Sequence, residues 1–138
     1  MISNKPKFIK LKKFKNLHGS LFAINSLTQN EFPFEIKRIF FVKATKNSIR
    51  GNHAHIHCSQ LLICLNGKIE VTTFDRNLKK MKFTLDDKSG KALLLPVLNW
   101  IKYEFLHKDN LLAVVSDFKY DRKKDYISNF KKFTKFKS

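Results

Sequence analysis

The sequence predicts an all-β fold, a small antiparallel double-stranded β-helix barrel of the jelly-roll kind closed by a short C-terminal helix. Two observations carry the prediction. Short apolar segments recur at intervals of about ten residues, each bounded by turn residues, which is the spacing of sandwiches and barrels. Within them apolar and polar residues alternate with period two, and a helical period surfaces only at the end of the chain. Leu21 to Ile24 is the first candidate strand, after a turn at His18-Gly19-Ser20. Phe34 to Val42 is the next; Pro33 leads into it, and alternation sets Phe34, Ile36, Arg38, Phe40 and Val42 on one face. His53 to Leu65 follows, with a bend expected near Cys58. Asn66-Gly67 is the strongest short hairpin signal, a type I′ turn from which Ile69 to Phe74 should return. Met81, Phe83 and Leu85 alternate ahead of a turn at Asp86-Asp87-Lys88-Ser89-Gly90. Ala92 to Leu95, Trp100 to Phe105 and Leu111 to Phe118 complete the strands. After Tyr120, Asp121 is placed to cap a short helix in which Tyr126, Phe130 and Phe133 share an apolar side.

A chain of 138 residues with 43% apolar residues and 14 Phe is long enough for one domain, residues 1–138, with a real core. That content excludes disorder, and no apolar run approaches the roughly 18–20 residues of a membrane span. The first residues, Met1-Ile2-Ser3-Asn4-Lys5, lack the apolar centre of a secretory signal. Cys58 and Cys64 make no disulfide framework, so a reduced, cytoplasmic protein is expected. The net charge of +17, from 28 Lys and Arg against 11 Asp and Glu, suits a phosphorylated small molecule, a membrane surface or nucleic acid. Scattered Lys accounts for the same number as composition bias. Basic and aromatic residues are not interleaved as single-strand binders need them, so neither nucleic acid nor membrane is the expected partner.

The chemistry concentrates in Arg50-Gly51-Asn52-His53-Ala54-His55-Ile56-His57. Histidines two apart on a strand point to one side, and imidazole serves both metal binding and proton transfer near neutral pH. His53-x-His55, then Gln60, then Gly67 has the spacing of the first motif of the cupin superfamily, which uses this barrel. Gly90 and Pro96 fit its second motif. Two metal-ligand positions are lost, however: Gln60 stands for the acid and Ile101 for the last histidine. A transition metal wants three or four N, O or S donors, so no metal is expected. The histidines then read as acid/base groups or as barrel filling. His57, at the strand's end, reads as a bystander. Arg38 reads as a rim cation or as an interior group awaiting an anion. With Arg50 it would suit a diphosphate. Trp100 and Tyr103 read as core or as aromatic walls for a sugar.

The runs Lys37-Arg38-Ile39-Phe40-Phe41, Arg50-Gly51-Asn52-His53-Ala54-His55 and Gln60 to Gly67 resemble the dTDP-4-oxo-6-deoxyglucose 3,4-ketoisomerases. Gly19-Ser20-Leu21, Pro96 to Trp100, Ser116-Asp117-Phe118 and Asp125-Tyr126-Ile127 extend the resemblance over nearly the whole chain. It implies a small cupin, a homodimer that often exchanges N-terminal strands, and no metal or organic cofactor. The implied substrate is a dTDP-linked 4-oxo-6-deoxyhexose. Its ketone moves from C4 to C3 through an enediol, and the product serves 3-amino-3,6-dideoxyhexose synthesis for a surface glycan. On this resemblance His53 is the principal acid/base and His55 its partner in proton transfer. Arg38 and Arg50 hold phosphates or sugar oxygens, and Gln60, Trp100 and Tyr103 line the sugar site. The chain departs from its relatives at Phe40 or Phe41, where they often carry tyrosine, at His18, where many have arginine, and at Ile101 after the tryptophan, where they commonly have His or Arg. His18 is a further candidate near the barrel mouth. The runner-up activity is that of a related cupin 3,5-epimerase, and a non-enzymatic basic cupin is the alternative from another class.

Overall fold

Alternation along the chain builds the walls of the barrel as predicted. In β4 (Arg38–Thr45), Arg38, Phe40, Val42 and Ala44 turn inward while their neighbours stay exposed. This computed structural model describes residues 4–25 and 33–137. The first five-stranded antiparallel sheet has the order β1 (Lys7–Lys10), β9 (Lys91–Leu95), β6 (Gln60–Asn66), β11 (Asp109–Ser116), β4. The second runs β12 (Tyr126–Ile127), β5 (Ile49–His55), β10 (Trp100–Phe105), β7 (Lys68–Phe74), β8 (Lys80–Asp86). Leu62, Cys64, Leu93 and Leu112 of one sheet meet Ile69, Val71, Phe83, Ile101 and Phe105 of the other in the main core. The result is the expected jelly-roll barrel. Among the described residues no helix is long and apolar enough to cross a membrane.

Three expectations need correction, each for a physical reason. The segment from His53 to Leu65 is two strands in different sheets, because the chain turns across the barrel edge at residues 56–59. Asn66-Gly67 makes no hairpin: β6 pairs with β9 and β11, whereas β7 pairs with β8 and β10. Gly67 does take the positive φ (94°) that the dipeptide announces. A Cβ there would lie 2.4 Å from Asn110 Oδ1, so glycine is required for close packing at a crossover between sheets. The predicted C-terminal helix is two short ones, α1 (Arg122–Asp125) and α2 (Phe130–Lys135), separated by β12. Asp121 caps α1 as expected, but Asn129 caps α2. Hydrogen bonding of Tyr126-Ile127 to the free edge of β5, opposite His55 and Ala54, outweighs helical continuation between them.

Two further strands escaped the pattern. β1 and β2 (Lys12–Asn16) are rich in lysine, lack a period-two alternation and stay largely exposed. β2 forms a hairpin with β3 (Gly19–Ala23) around Leu17-His18. The C-terminal cap is anchored by Phe133, fully buried against Trp100, Ala54 and Ile127. Truncating such a side chain to Ala costs about 3–5 kcal/mol.

Candidate active site

Position 51 sets the geometry of the histidine strand. Gly51 has φ +91°, and a Cβ there would approach Ile101 O to 2.8 Å, so the strand can bend against β10 only with glycine. Asn52 follows with φ 57°, and the β5–β10 register shifts between Ile101 and Lys102. Irregularities of this kind re-aim side chains. Here the bend lets Gly51 O accept a hydrogen bond from His53 Nδ1 at 3.0 Å. His53 Nε2 then meets His55 Nε2 at 3.1 Å, and His55 Nδ1 donates to Asp125 Oδ2 at 2.5 Å. The other Asp125 oxygen accepts from the amides of His57 (2.7 Å) and Cys58 (3.1 Å).

Donor accounting decides what this chain of contacts can do. A carbonyl and a carboxylate accept only, which places one proton on each Nδ1. The Nε2–Nε2 contact is therefore a hydrogen bond only when the pair holds one more proton there. Without it, two lone pairs face each other. Asp125 lies behind the pair, where its carboxylate faces any charge placed on it. Taking up that proton is resisted: burial and then the neighbouring His55 lower the His53 pKa from 6.5 to about 4. Burial alone would raise the Asp125 carboxyl, but hydrogen bonds from His55 and the two amides hold it below its ordinary value.

His53 opens onto a cavity of about 790 Å³. Arg38, Arg50, Gln60 and Tyr103 line it, as expected for a ligand site, together with Arg122, Tyr120 and Tyr126. Among the described residues, three guanidinium groups and no carboxylate face this space, which favours an anion. Arg38 is stacked on Phe40 and Tyr120, at 4.3 and 4.8 Å from the ring centroids. Gln60 is buried, and its Oε1 has no hydrogen-bond partner among the described residues, which leaves an acceptor at the cavity wall.

Other candidates lie elsewhere. His55 is behind His53, buried, and does not line the cavity. Trp100, expected on the sugar wall, instead packs beneath α2, with ring centroids 5.2 Å from Phe130 and 5.9 Å from Phe133. His18 sits on the β2–β3 turn, outside this chain's cavity. His57 stacks on Phe118 and contributes only its amide.

Sequence reasoning missed Asp125, Tyr126 and Arg122 as site residues. Tyr126 stacks on His53, with centroids 4.6 Å apart and planes at 29°, and meets His55 edge-on. The available signal was the pair of capping residues, Asp121 and Asn129, with a tyrosine and an isoleucine between them. Two caps imply two helices, and the β-formers between them imply a strand.

A cupin metal centre does not fit these residues. Of the motif positions, Gln60 is a neutral amide and Ile101 is fully buried in the apolar core. His55, Cys58 and Asp125 bring donor atoms within 4.8 Å of one another. However, both nitrogens of His55 and both oxygens of Asp125 are already engaged. Burial also pushes the Cys58 thiol up to about 12, so it offers no thiolate.

Known proteins resemble this chain over nearly its whole length. Residues 4–138 match the family model described as FdtA: WxcM-like, C-terminal. The chain is 34% identical over 131 residues to the TDP-4-oxo-6-deoxy-α-D-glucose-3,4-oxoisomerase of Aneurinibacillus thermoaerophilus, covering 94% of this chain and 91% of that protein. It is similar to QdtA, a sugar 3,4-ketoisomerase from Thermoanaerobacterium thermosaccharolyticum solved with TDP (TM-score 0.84, 27% identity, 98% and 95% covered). A comparable match is WlaRB, a TDP-quinovose 3,4-ketoisomerase from Campylobacter jejuni (TM-score 0.85, 27% identity, 97% and 100% covered). The chain belongs to the WxcM-like family of sugar 3,4-ketoisomerase cupins.

Proposed function

We propose that this protein is a dTDP-4-oxo-6-deoxyhexose 3,4-ketoisomerase that works by proton transfer through its own side chains. The observation that carries the reading is the Asp125–His55–His53 chain, which ends in a cavity lined, among the described residues, by three arginines and no acid. The arginines hold the diphosphate and leave the hexose over His53. The C4 ketone acidifies the C3 proton, which His53 removes. That proton is shared with His55, and Asp125 stabilises the charge that results. The enediol then collapses with a proton returned to C4, leaving the ketone at C3. Gln60 and Tyr103 orient the sugar.

The assembly we propose is a homodimer. β4 is an edge strand with Ile39 and Phe41 exposed, and the β2–β3 hairpin exposes Phe14, Leu17 and Leu21. Long apolar edges are ordinarily covered. Exchange of the hairpin between copies would carry His18 to a neighbour's cavity. A cytoplasmic site of action goes with two free, buried cysteines.

Proton NMR of the product from dTDP-4-oxo-6-deoxyglucose tests the reaction. A ketone at C3 is expected, and the configuration at C4 is read from the same spectrum. A ketone still at C4, with inversion at C3 or C5, would replace this reading with an epimerase.

A further inference from the structure

A cation that is to bind a ligand's phosphates must be held in place without being neutralised, since a carboxylate partner would already occupy its donors. Among the described residues no carboxylate lines the cavity or pairs with Arg38. Its contacts are aromatic instead. Phe40, two residues on and on the same face of β4, lies with its ring centroid 4.3 Å from the guanidinium carbon. Tyr120 brings a second ring to 4.8 Å from a separate segment. The Tyr126 hydroxyl is close enough to hydrogen-bond to the same group, and its ring meets that of Tyr120 edge-on at 5.9 Å.

The segment that carries Tyr120 is tied to the strand that carries Arg38. Ser116, at the end of β11, pairs in register with Arg38. Its hydroxyl is 3.5 Å from Arg38 O and 3.3 Å from Phe118 O, and donates to either. Asp117 Oδ1 accepts the Ser59 amide at 2.8 Å. Tyr120 therefore reaches Arg38 from an anchored backbone. Yet it stays 57% exposed, so its ring contributes little to the core.

An aromatic face attracts a cation through its quadrupole and uses none of the five N–H donors, which lie in the guanidinium plane. Tyr126 takes at most one of them. The others stay available to a ligand, and the positive charge stays whole. The rings also remove rotamer freedom that a ligand would otherwise have to freeze. Resting on the ketoisomerase reading, we propose that Tyr120 is a positioning residue, its ring ordering the Arg38 guanidinium so that the in-plane donors meet the diphosphate of the nucleotide sugar. Phe40 supplies the half of this seat that belongs to the strand, and Tyr120 the half that crosses to it.

dTDP carries the diphosphate without the hexose, so its dissociation constant, measured by titration calorimetry, reads the phosphate site without turnover. Tyr120→Ala and Tyr120→Leu both remove the π face, and each should weaken dTDP binding about fivefold. KM for dTDP-4-oxo-6-deoxyglucose should rise in parallel, with kcat within about twofold of wild type. Tyr120→Phe keeps the ring and should bind dTDP as wild type does. In an Arg38→Gln background, adding Tyr120→Ala should weaken binding by less than about twofold, because the ring then has no cation to order. Wild-type affinity in Tyr120→Ala or Tyr120→Leu would overturn the proposal, as would a Tyr120→Phe protein as weak as Tyr120→Ala. So would an undiminished loss in the Arg38→Gln background, which would mean that Tyr120 meets the ligand itself. A wild-type protein that binds dTDP yet leaves the ketone at C4 would instead overturn the ketoisomerase reading, with the role of Tyr120 still decided by the binding data.

Discussion

The site has two halves of different origin, the bent strand β5 and the C-terminal cap of α1, β12 and α2. β5 brings His53, His55 and Arg50 in one short motif, and the backbone at Gly51 and Asn52 aims them. The cap brings Asp125, Tyr126 and Arg122 from about seventy residues away, and it reaches β5 through two residues of pairing. The strand holds the two imidazoles; the cap fixes where the His55 Nδ1 proton sits and what charge it meets. An isolated imidazole pair at 3.1 Å would be an unsettled contact. With Asp125 behind it, one tautomer is imposed along the whole chain of hydrogen bonds.

That division is broken most severely by one substitution in each half. His53→Asn removes the base, and turnover and solvent exchange at C3 should fall about 10³-fold or more. Asp125→Asn retains an oxygen for the His57 and Cys58 amides but offers an N–H to His55 Nδ1. The His55 proton moves to Nε2 and is donated to His53, so the lone pair that the dyad uses is closed. A loss of about 10²- to 10³-fold in kcat is expected, with KM and melting temperature close to wild type. Equal kcat in Asp125→Asn and wild type would confine the cap to packing.

The pH dependence of stability separates the halves by a smaller effect. In the fold the His53 pKa is about 4, against 6.5 for an ordinary histidine. Between those values the unfolded chain binds a proton that the folded one refuses, so stability falls as pH drops from 6.5 toward 4. Above pH 6.5 the group contributes no pH dependence. The full difference is about 3 kcal/mol. Denaturant unfolding at pH 7 and pH 5 should show a steeper acid loss in wild type than in His53→Asn. Parallel curves would mean that the proton is accommodated without cost.

What was legible in the sequence follows the same division. Period-two alternation marks strands wherever one face is buried, so β4 and β7 to β11 fall close to their apolar runs. β1 and β2 bury little, and their lysines conceal them. Motif spacing singled out His53, His55 and Gln60, strand-face alternation singled out Arg38, and Arg50 was marked by its place just before the histidines. Long-range pairing left no local trace: Asn66-Gly67 announces a positive φ but not which strand the chain joins next. Asp125 looks like the end of a helix until β12 binds β5. Trp100 carries the same signal in a core as in a sugar pocket, and only the packing of Phe130 and Phe133 distinguishes the two.

Arginine substitutions test whether the cap also shares in anion binding. Arg50 comes from the strand and Arg122 from the cap, and both line the cavity while exposed to solvent. Exposed cations gain little from a single charge contact, so each should matter through ground-state binding of the diphosphate. Arg122→Ala should raise KM about tenfold, or about 1.4 kcal/mol, and leave kcat nearly unchanged. Arg50→Ala should do the same, and the salt dependence of KM should weaken in both. Arg122 also lies 5.8 Å from the Tyr126 ring and adds to the charge that disfavours protonated His53. A fall in kcat in Arg122→Ala alone would show that the cap's cation acts on the proton-carrying groups, whereas matched KM effects would place it with Arg50 on the phosphates.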